Sequence, residues 1–475
     1  MGSNTPSTWR PLNVGVVGGG IGGMSVAIAL RRAGHGVTIY EKHDFASEVG
    51  ASVSCAANGT RWLHEWGVDV AKGDPVVLKK LINRDWKTGE PVSVYDLDDY
   101  EQRWGYVYNM FHRQYMHAML KDCALQADGA GRPAKLVVNH QVPLCFFSKQ
   151  DEVRETDGVC IQCETIDVES GTITFTNGAS AQHDLVVGAD GIGSAVRGQL
   201  GIHPAKRPSE SSCLHANVRT EDAVRLGLVD YAQDSALEYW GGQEGKWDKI
   251  VLSPCNGGRL LSYYCFFPRA LGDYSTQQWG AADSSRPVEE LLAPYPELDA
   301  QVKAHLAIGV EIQPWRLWVH DPYPYIQKGR VCLLGDAGHP SQGACMAIED
   351  AAALGILFDK QHFLGDISET LAVYQEVRLP RVTRVQAAAA KAAYNINERI
   401  GNYPPPVLSD LGCGTYKVED EKKKLTVEEM NAYDMYKDVE EVLAKRRGTV
   451  FGERFCRGLP LGLKLPNGVV VGEDI

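Results

Sequence analysis

The chain has no apolar run approaching the 18 or so residues that a membrane-spanning helix takes. Positive charge is in short supply: 48 Lys and Arg stand against 60 Asp and Glu, a net charge of −12. A general nucleic-acid binder needs a basic footprint to neutralise phosphates, and anionic membranes attract polybasic segments, so both partners are disfavoured. A second cysteine pair is missing too. Cys160 and Cys163 form one Cys-x-x-Cys, but no partner pair or nearby His pair completes a zinc set, and no metal is expected. The twelve cysteines are scattered, which in a long chain reads as reduced, mostly buried thiols. Met1 to Trp9 lacks the apolar stretch of a signal peptide, and a cytoplasmic setting is expected. Asn58-Gly59-Thr60 fits a glycosylation triplet, which that setting makes a chance match. No internal repeat or low-complexity block is found in the 475 residues, which suffice for one large domain or two to three ordinary ones.

What is present begins with a strand–loop–helix. Leu12 to Gly18 is a short apolar run ending in glycine, the pattern of a buried parallel strand. Ile21 to Ala33 has helical spacing and stops at Gly34, and Val37 to Lys42 reads as the next strand. The loop between, Gly18-Gly19-Gly20-Ile21-Gly22-Gly23, fits GxGxxG. Gly18 permits a tight turn, Gly20 lets backbone approach a pyrophosphate, and Gly23 allows close helix–sheet packing. The helix N-terminus then favours the anion. Glu41 lies about 20 residues on, where a carboxylate can bind both ribose hydroxyls and repel a 2′-phosphate. A bare tight turn is the alternative to a dinucleotide site, and the complete βαβ context weighs against it.

Further along, helices are expected around Asn58 to Trp66 and Arg113 to Gln126, and a meander from about Val137 to Val187. Residues 210–270 are rich in β-formers and aromatics and read as a second sheet walling a cavity. Tyr239, Trp240, Tyr263, Tyr264 and Phe266 are cavity candidates, although large apolar residues are more often core. Helices are expected from about Gly343 to Phe358 and from Leu371 to Ala393, the latter kinked or interrupted at Pro380. Two more strand-end turns stand out: Gly188-Ala189-Asp190-Gly191, leading to Ser194 and Arg197, and Gly335-Asp336-Ala337-Gly338-His339-Pro340. Alone, each is ordinary punctuation or a helix cap.

Together the three glycine motifs resemble the class A flavoprotein monooxygenases, the family of the aromatic hydroxylases, and within it fungal salicylate-hydroxylase-like enzymes of secondary metabolism. The resemblance runs from about Asn13 to Arg384 and includes Gly50-Ala51, His112-Arg113, Gln342-Gly343-Ala344 leading to Ile348-Glu349-Asp350, and Tyr374 to Arg381. It implies an α/β fold: a Rossmann-like FAD-binding domain of the GR2 type, with an inserted mixed or antiparallel β-sheet substrate domain and C-terminal helices. The expected division is a tail at 1–11; a discontinuous FAD domain at 12–80, 105–200 and 320–400; a substrate domain at 81–104 and 201–319; and a helical tail segment at 401–475. The resemblance implies FAD as cofactor, NAD(P)H and O2 as co-substrates, and a small aromatic substrate. Hydroxylation would run through a flavin C4a-hydroperoxide, in a monomer or homodimer.

It also implies site roles. Glu41 binds the adenosine ribose, Ala51 lies near the flavin side chain, and Arg113 reaches the phosphates or ribitol. Asp336 holds the ribitol, Gly343 and Ala344 offer amides to the flavin ring, and Asp190 with Gly191 bridges FAD and transient NAD(P)H. His339 lies beside the flavin by motif and is a catalytic candidate, with a structural hydrogen bond as its alternative. Two departures stand against the family pattern. About five residues are missing between Pro340 and the Gln342-Gly343 pair. His215 stands where related dearomatising hydroxylases carry an Arg, and Ser253 where they carry a Tyr, so phenolate anchoring by that pair does not carry over. His215 is a candidate general base, against the reading of a sheet histidine. Two other outcomes stay open: epoxidation or oxidative rearrangement of a non-phenolic substrate, and a flavin-binding homologue with impaired catalysis. Trp315-Arg-Leu-Trp318 lacks the signature of the flavin halogenases.

Overall fold

In the computed structural model, the described residues are 9–42, 50–138, 163–205, 207–242, 246–273, 285–315, 317–340, 342–399 and 425–446. Cys160 lies outside them, as do residues 139–162 of the meander expected from 137 onward.

The apolar run after Leu12 forms the strand Asn13–Val17 in a six-stranded sheet. Its order is Gln327–Lys328, Val331–Leu333, Leu185–Gly188, Asn13–Val17, Gly36–Tyr40, Lys135–Val137. All pairings are parallel except the first. Strands buried on both faces read as continuous apolar runs rather than alternating ones, and Leu185–Gly188 is buried throughout. Helices Ile21–Arg32 and Gly343–Leu357 pack on one another over this core. The buried Arg31 guanidinium donates to the carbonyls of Cys123, Ala124 and Gln126, satisfying the end of helix Arg113–Leu125. Met435, Val439 and Leu443 of helix Met435–Arg446 are buried in the same core.

A seven-stranded mixed sheet has the order Val310–Trp315, Ser211–Arg219, Leu260–Pro268, Lys249–Cys255, Ala236–Gly241, Lys80–Arg84, Pro91–Asp96. The early segment around Lys80 to Asp96 thus joins strands that follow it by more than a hundred residues, through the parallel pairing of Lys80–Arg84 with Ala236–Gly241. Strand alternation divides the residues between two faces. Leu214, Trp240, Ile250, Tyr263 and Phe267 point to a core shared with helices Val288–Leu292 and Ala300–Leu306. His215, Tyr239, Lys249, Ser253, Ser262, Tyr264 and Phe266 occupy the opposite face. Trp240 and Tyr263, expected as cavity candidates, are therefore core residues with no exposed surface.

The expected α/β architecture with C-terminal helices is present. One helix differs. Ile367–Tyr394 runs for 28 residues without interruption at Pro380. Arg378 and Arg381, on either side of the proline, both bond Glu349 of the neighbouring helix, and this packing overrides the missing donor at Pro380. Among the described residues, no helix is long and apolar enough to cross a membrane, and no cluster of His, Cys, Asp or Glu is set up for a metal.

Candidate active site

The three sequence motifs sit at the carboxyl ends of adjacent parallel strands, Asn13–Val17, Leu185–Gly188 and Val331–Leu333, where open α/β sheets bind ligands. They touch. Gly18 has φ of +102°, and a Cβ there would lie 2.4 Å from the Ala189 carbonyl. A Cβ on Gly22 would meet Leu334 Cδ2 at 2.6 Å, and one on Gly335 would meet Ala347 Cβ at 3.0 Å. A Cβ on Gly23 would stand 1.9 Å from the Gly18 carbonyl. Backbone conformation and packing thus demand glycine at 18 and 23.

Gly20 is different. Its φ of −70° suits any residue, and a Cβ there would meet nothing within 4 Å. The folded chain gives no reason for glycine at this position, whereas a pyrophosphate drawn against the amides of helix Ile21–Arg32 does. Glu41, at the end of strand Gly36–Tyr40, accepts a 2.6 Å hydrogen bond from the Gly19 amide. The His117 ring bonds the Gly19 carbonyl at 2.7 Å, fixing the loop from the side of helix Arg113–Leu125. Arg113 opens that helix, and its amide donates to Ala51 at 2.8 Å, so the two predicted residues are neighbours. Gly343, at the N-terminus of its helix, also faces open space, with Ala344 beside it. The residues present fit a dinucleotide of the FAD type: a glycine cradle open at Gly20, a carboxylate at the end of the neighbouring strand, and two helix N-termini.

Asp336 is exposed in a short turn at the same edge. Asp190 has a further use: its carboxylate accepts from the Ser194 hydroxyl at 2.5 Å and from the amides of Ala195 and Val196, capping helix Ala195–Gln199. Arg197 reaches from that helix to the Ile192 and Ala337 carbonyls and ties the second motif to the third.

The two catalytic candidates lie apart. His339 is 3% exposed, and its Nε2 lies 2.5 Å from Asp350. Asp350 also accepts from the Gly335 amide and from Arg378 Nε. Glu349 beside it binds Arg378, Arg381 and the Asn58 amide, which explains Asn58 without a glycan. Burial pushes Glu349 up, yet the Arg381 and Arg378 charges outweigh it and hold the carboxyl below its usual value. His339 therefore belongs to a buried polar network under the third motif. Gln342, immediately before helix Gly343–Leu357, donates to the Val382 carbonyl at 2.7 Å.

His215 is fully buried in strand Ser211–Arg219 and packs against the Tyr264 and Trp315 rings. Burial, aided by His112, pushes its pKa down to about 3. The ring is thus neutral and a poor base as it stands. Its Nε2 lies 2.8 Å from the Ser262 hydroxyl. That hydroxyl accepts from the Ser52 amide, and the Ser52 hydroxyl pairs with Ser253 at 2.6 Å. Tyr264 donates to the Ser52 carbonyl at 2.7 Å, and Asn217 donates to the Gly50 carbonyl at 2.6 Å. Sequence reasoning missed this serine chain, which joins the aromatic sheet to the Gly50-Ala51-Ser52 segment. Ser262 and Ser52 carry no motif; only strand parity hinted at a polar face.

Residues 11–389 match the FAD binding domain family. The chain belongs to this family and is an FAD-dependent monooxygenase of the class A flavoprotein type. It is 30% identical over 435 residues to hispidin-3-hydroxylase of Neonothopanus nambi, covering 86% of this chain and 96% of that protein. It shares its fold with Klebsiella pneumoniae HpxO complexed with FAD and uric acid, at 23% identity and a TM-score of 0.62, covering 83% of this chain and 90% of that one. A salicylate hydroxylase substrate complex gives a TM-score of 0.63 at 20% identity, covering 91% of this chain and 98% of that one.

Proposed function

We propose that the enzyme uses NAD(P)H and O2 to hydroxylate a small aromatic metabolite of phenolic, polyketide-like or indole-like type. The observation that carries this reading is the Gly20 cradle, glycine without a conformational or packing cause, opening at the end of three parallel strands. Bound there, FAD supplies the electron transfer and oxygen activation that side chains lack. The chain's own residues bind, orient and exclude water. The amides at Gly20 and the following helix hold the pyrophosphate, Glu41 the adenosine ribose, and Arg113 and Asp336 the phosphate–ribitol stretch. Gly343 and Ala344 present amides to the ring, with Ala51 beside it. Asp190 and Gly191 shape the edge met by the nicotinamide. His215 acts through Ser262 and Ser52 as a positioning residue, and His339 through Asp350 holds the Gly335 turn. The FAD domain takes 12–80, 105–200 and 320–400, and the seven-stranded sheet of 81–104 and 201–319 forms the substrate wall. A cytoplasmic monomer or homodimer completes the reading.

The test is a purified preparation reconstituted with FAD, followed by its visible spectrum, aromatic-stimulated NAD(P)H oxidation, and transfer of one 18O atom from labelled O2 into product. A flavin spectrum with label in the product is expected. A colourless protein that FAD cannot reconstitute overturns the proposal, as does bound flavin with no turnover across a broad set of phenols and indoles.

A further inference from the structure

Position 215 offers no cation, since its histidine is buried and neutral, yet the same face of the sheet carries two positive charges further along. Lys249 pairs with Gly241 and Phe266 in the ladder, and its Nζ lies 4.4 Å from the Phe266 ring centroid. Arg399, 8% exposed, follows the long helix and lies 4.0 Å from the Tyr239 ring centroid. Tyr239 and Gly241 are successive residues on one face, so both cations stand at one end of the aromatic wall. Gly242 joins them: a Cβ there would meet the Lys249 chain at 2.8 Å and Ile396 Cβ at 3.2 Å. Among the described residues neither cation forms a salt bridge. Among the described residues Arg399 donates to the Ile396 carbonyl and toward Tyr239, and its Nε is buried without a hydrogen-bond partner there. Burial depresses the Lys249 pKa, and the Cys213 thiol offsets this only in part. Desolvated cations beside an aromatic wall, with no carboxylate against them among the described residues, are costly unless a ligand supplies the counter-charge.

Resting on the monooxygenase reading, we propose that Lys249 and Arg399 anchor an anionic oxygen of the substrate, a carboxylate or ionised enol, at the end remote from the hydroxylated ring. Spacing sets the length. Lys249 and Ser253 are four residues apart on one strand, about 13 Å at the usual rise, and Ser253 bonds Ser52 next to the flavin-side Ala51. The substrate class is therefore an elongated aromatic acid. One ring lies at the Ser52 end, flanked by Tyr264, and a conjugated or two-ring spacer carries the acid to Lys249.

The FAD-reconstituted enzyme is titrated with 4-coumarate, its methyl ester, salicylate and salicylamide, reading the flavin difference spectrum and the KM and kcat of NAD(P)H oxidation. The variants are Lys249→Met, Arg399→Met and the conservative Lys249→Arg. Coumarate is expected to bind roughly tenfold tighter than its ester, since a desolvated charge pair favours the acid. Salicylate, whose acid sits beside its hydroxyl, is expected to gain no such preference over its amide. Lys249→Met and Arg399→Met should each abolish coumarate's advantage, leaving ester binding and flavin content unchanged, and Lys249→Arg should restore it. Equal affinity for acid and ester, equal loss of both in Lys249→Met, or no spectral response to coumarate overturns the anchor. Turnover of the ester without acid preference refutes the anchor alone, while the absence of any aromatic turnover refutes the monooxygenase reading itself.

Discussion

Acidification from about pH 7.5 to about pH 5 is expected to remove about 2 kcal/mol of stability through His215 alone. An unfolded histidine titrates near 6.5, whereas burial holds His215 at about 3 in the folded chain. Because the folded pKa is lowered, the unfolded state binds the extra proton first. Stability is therefore complete above about pH 6.5 and falls by about 1.4 kcal/mol per pH unit below it, levelling near pH 3. His35, His112, His183 and His305 are also depressed by burial and add to the total loss, so wild type alone does not isolate the term. His215→Gln does, because its amide reaches toward Ser262 as Nε2 does and does not titrate. Urea unfolding of the flavin-free proteins gives the difference in free energy between wild type and variant at each pH. Whatever that difference is at pH 7.5, it should shift by about 2 kcal/mol in the variant's favour at pH 5. A difference constant to within about 0.5 kcal/mol would refute the buried, neutral assignment, and with it the argument that position 215 supplies no cation.

Arg378→Met leaves Glu349 and Asp350, at most 1% exposed, without their shared cation, and should cost about 3–5 kcal/mol in urea unfolding. A loss below about 1 kcal/mol would show the network to be incidental. Asp190→Ala leaves the Ser194 cap on the Arg197 amide but strips the acceptor from the Ala195 and Val196 amides of helix Ala195–Gln199, and should cost about 1 kcal/mol, with faster amide exchange confined to residues 191–199. Unchanged exchange there would contradict the capping role.

The parts of the fold read from sequence were those written in local chemistry. Gly34 stops its helix with positive φ, as expected from a residue free to adopt that conformation. The glycine loop was legible because Gly18 and Gly23 each meet a separate local demand, one of conformation and one of packing. What could not be read depends on partners distant in sequence. Pro380 argued for a kink or an interruption, and only the grip of Arg378 and Arg381 on Glu349 shows why the helix is not interrupted. The two sides of strand Ser211–Arg219 could not be told apart, because both are buried and alternation leaves no hydropathic trace. That hid the burial of His215. Lys249 and Arg399 are 150 residues apart and belong to no motif; only the pairing of Gly241 with Lys249 and the return of the chain at Ile396 bring them to one wall.

The central claim is that the glycine loop exists to admit FAD, and Gly20→Val tests it most directly. A Cβ there meets no protein atom within 4 Å and suits the local φ. The account therefore predicts an unfolding midpoint within about 0.5 kcal/mol of wild type. It also predicts that FAD affinity, measured by flavin fluorescence quenching, falls by well over tenfold. A variant that binds FAD as tightly as wild type would contradict the account, for the open space at Gly20 would then have no ligand to explain it.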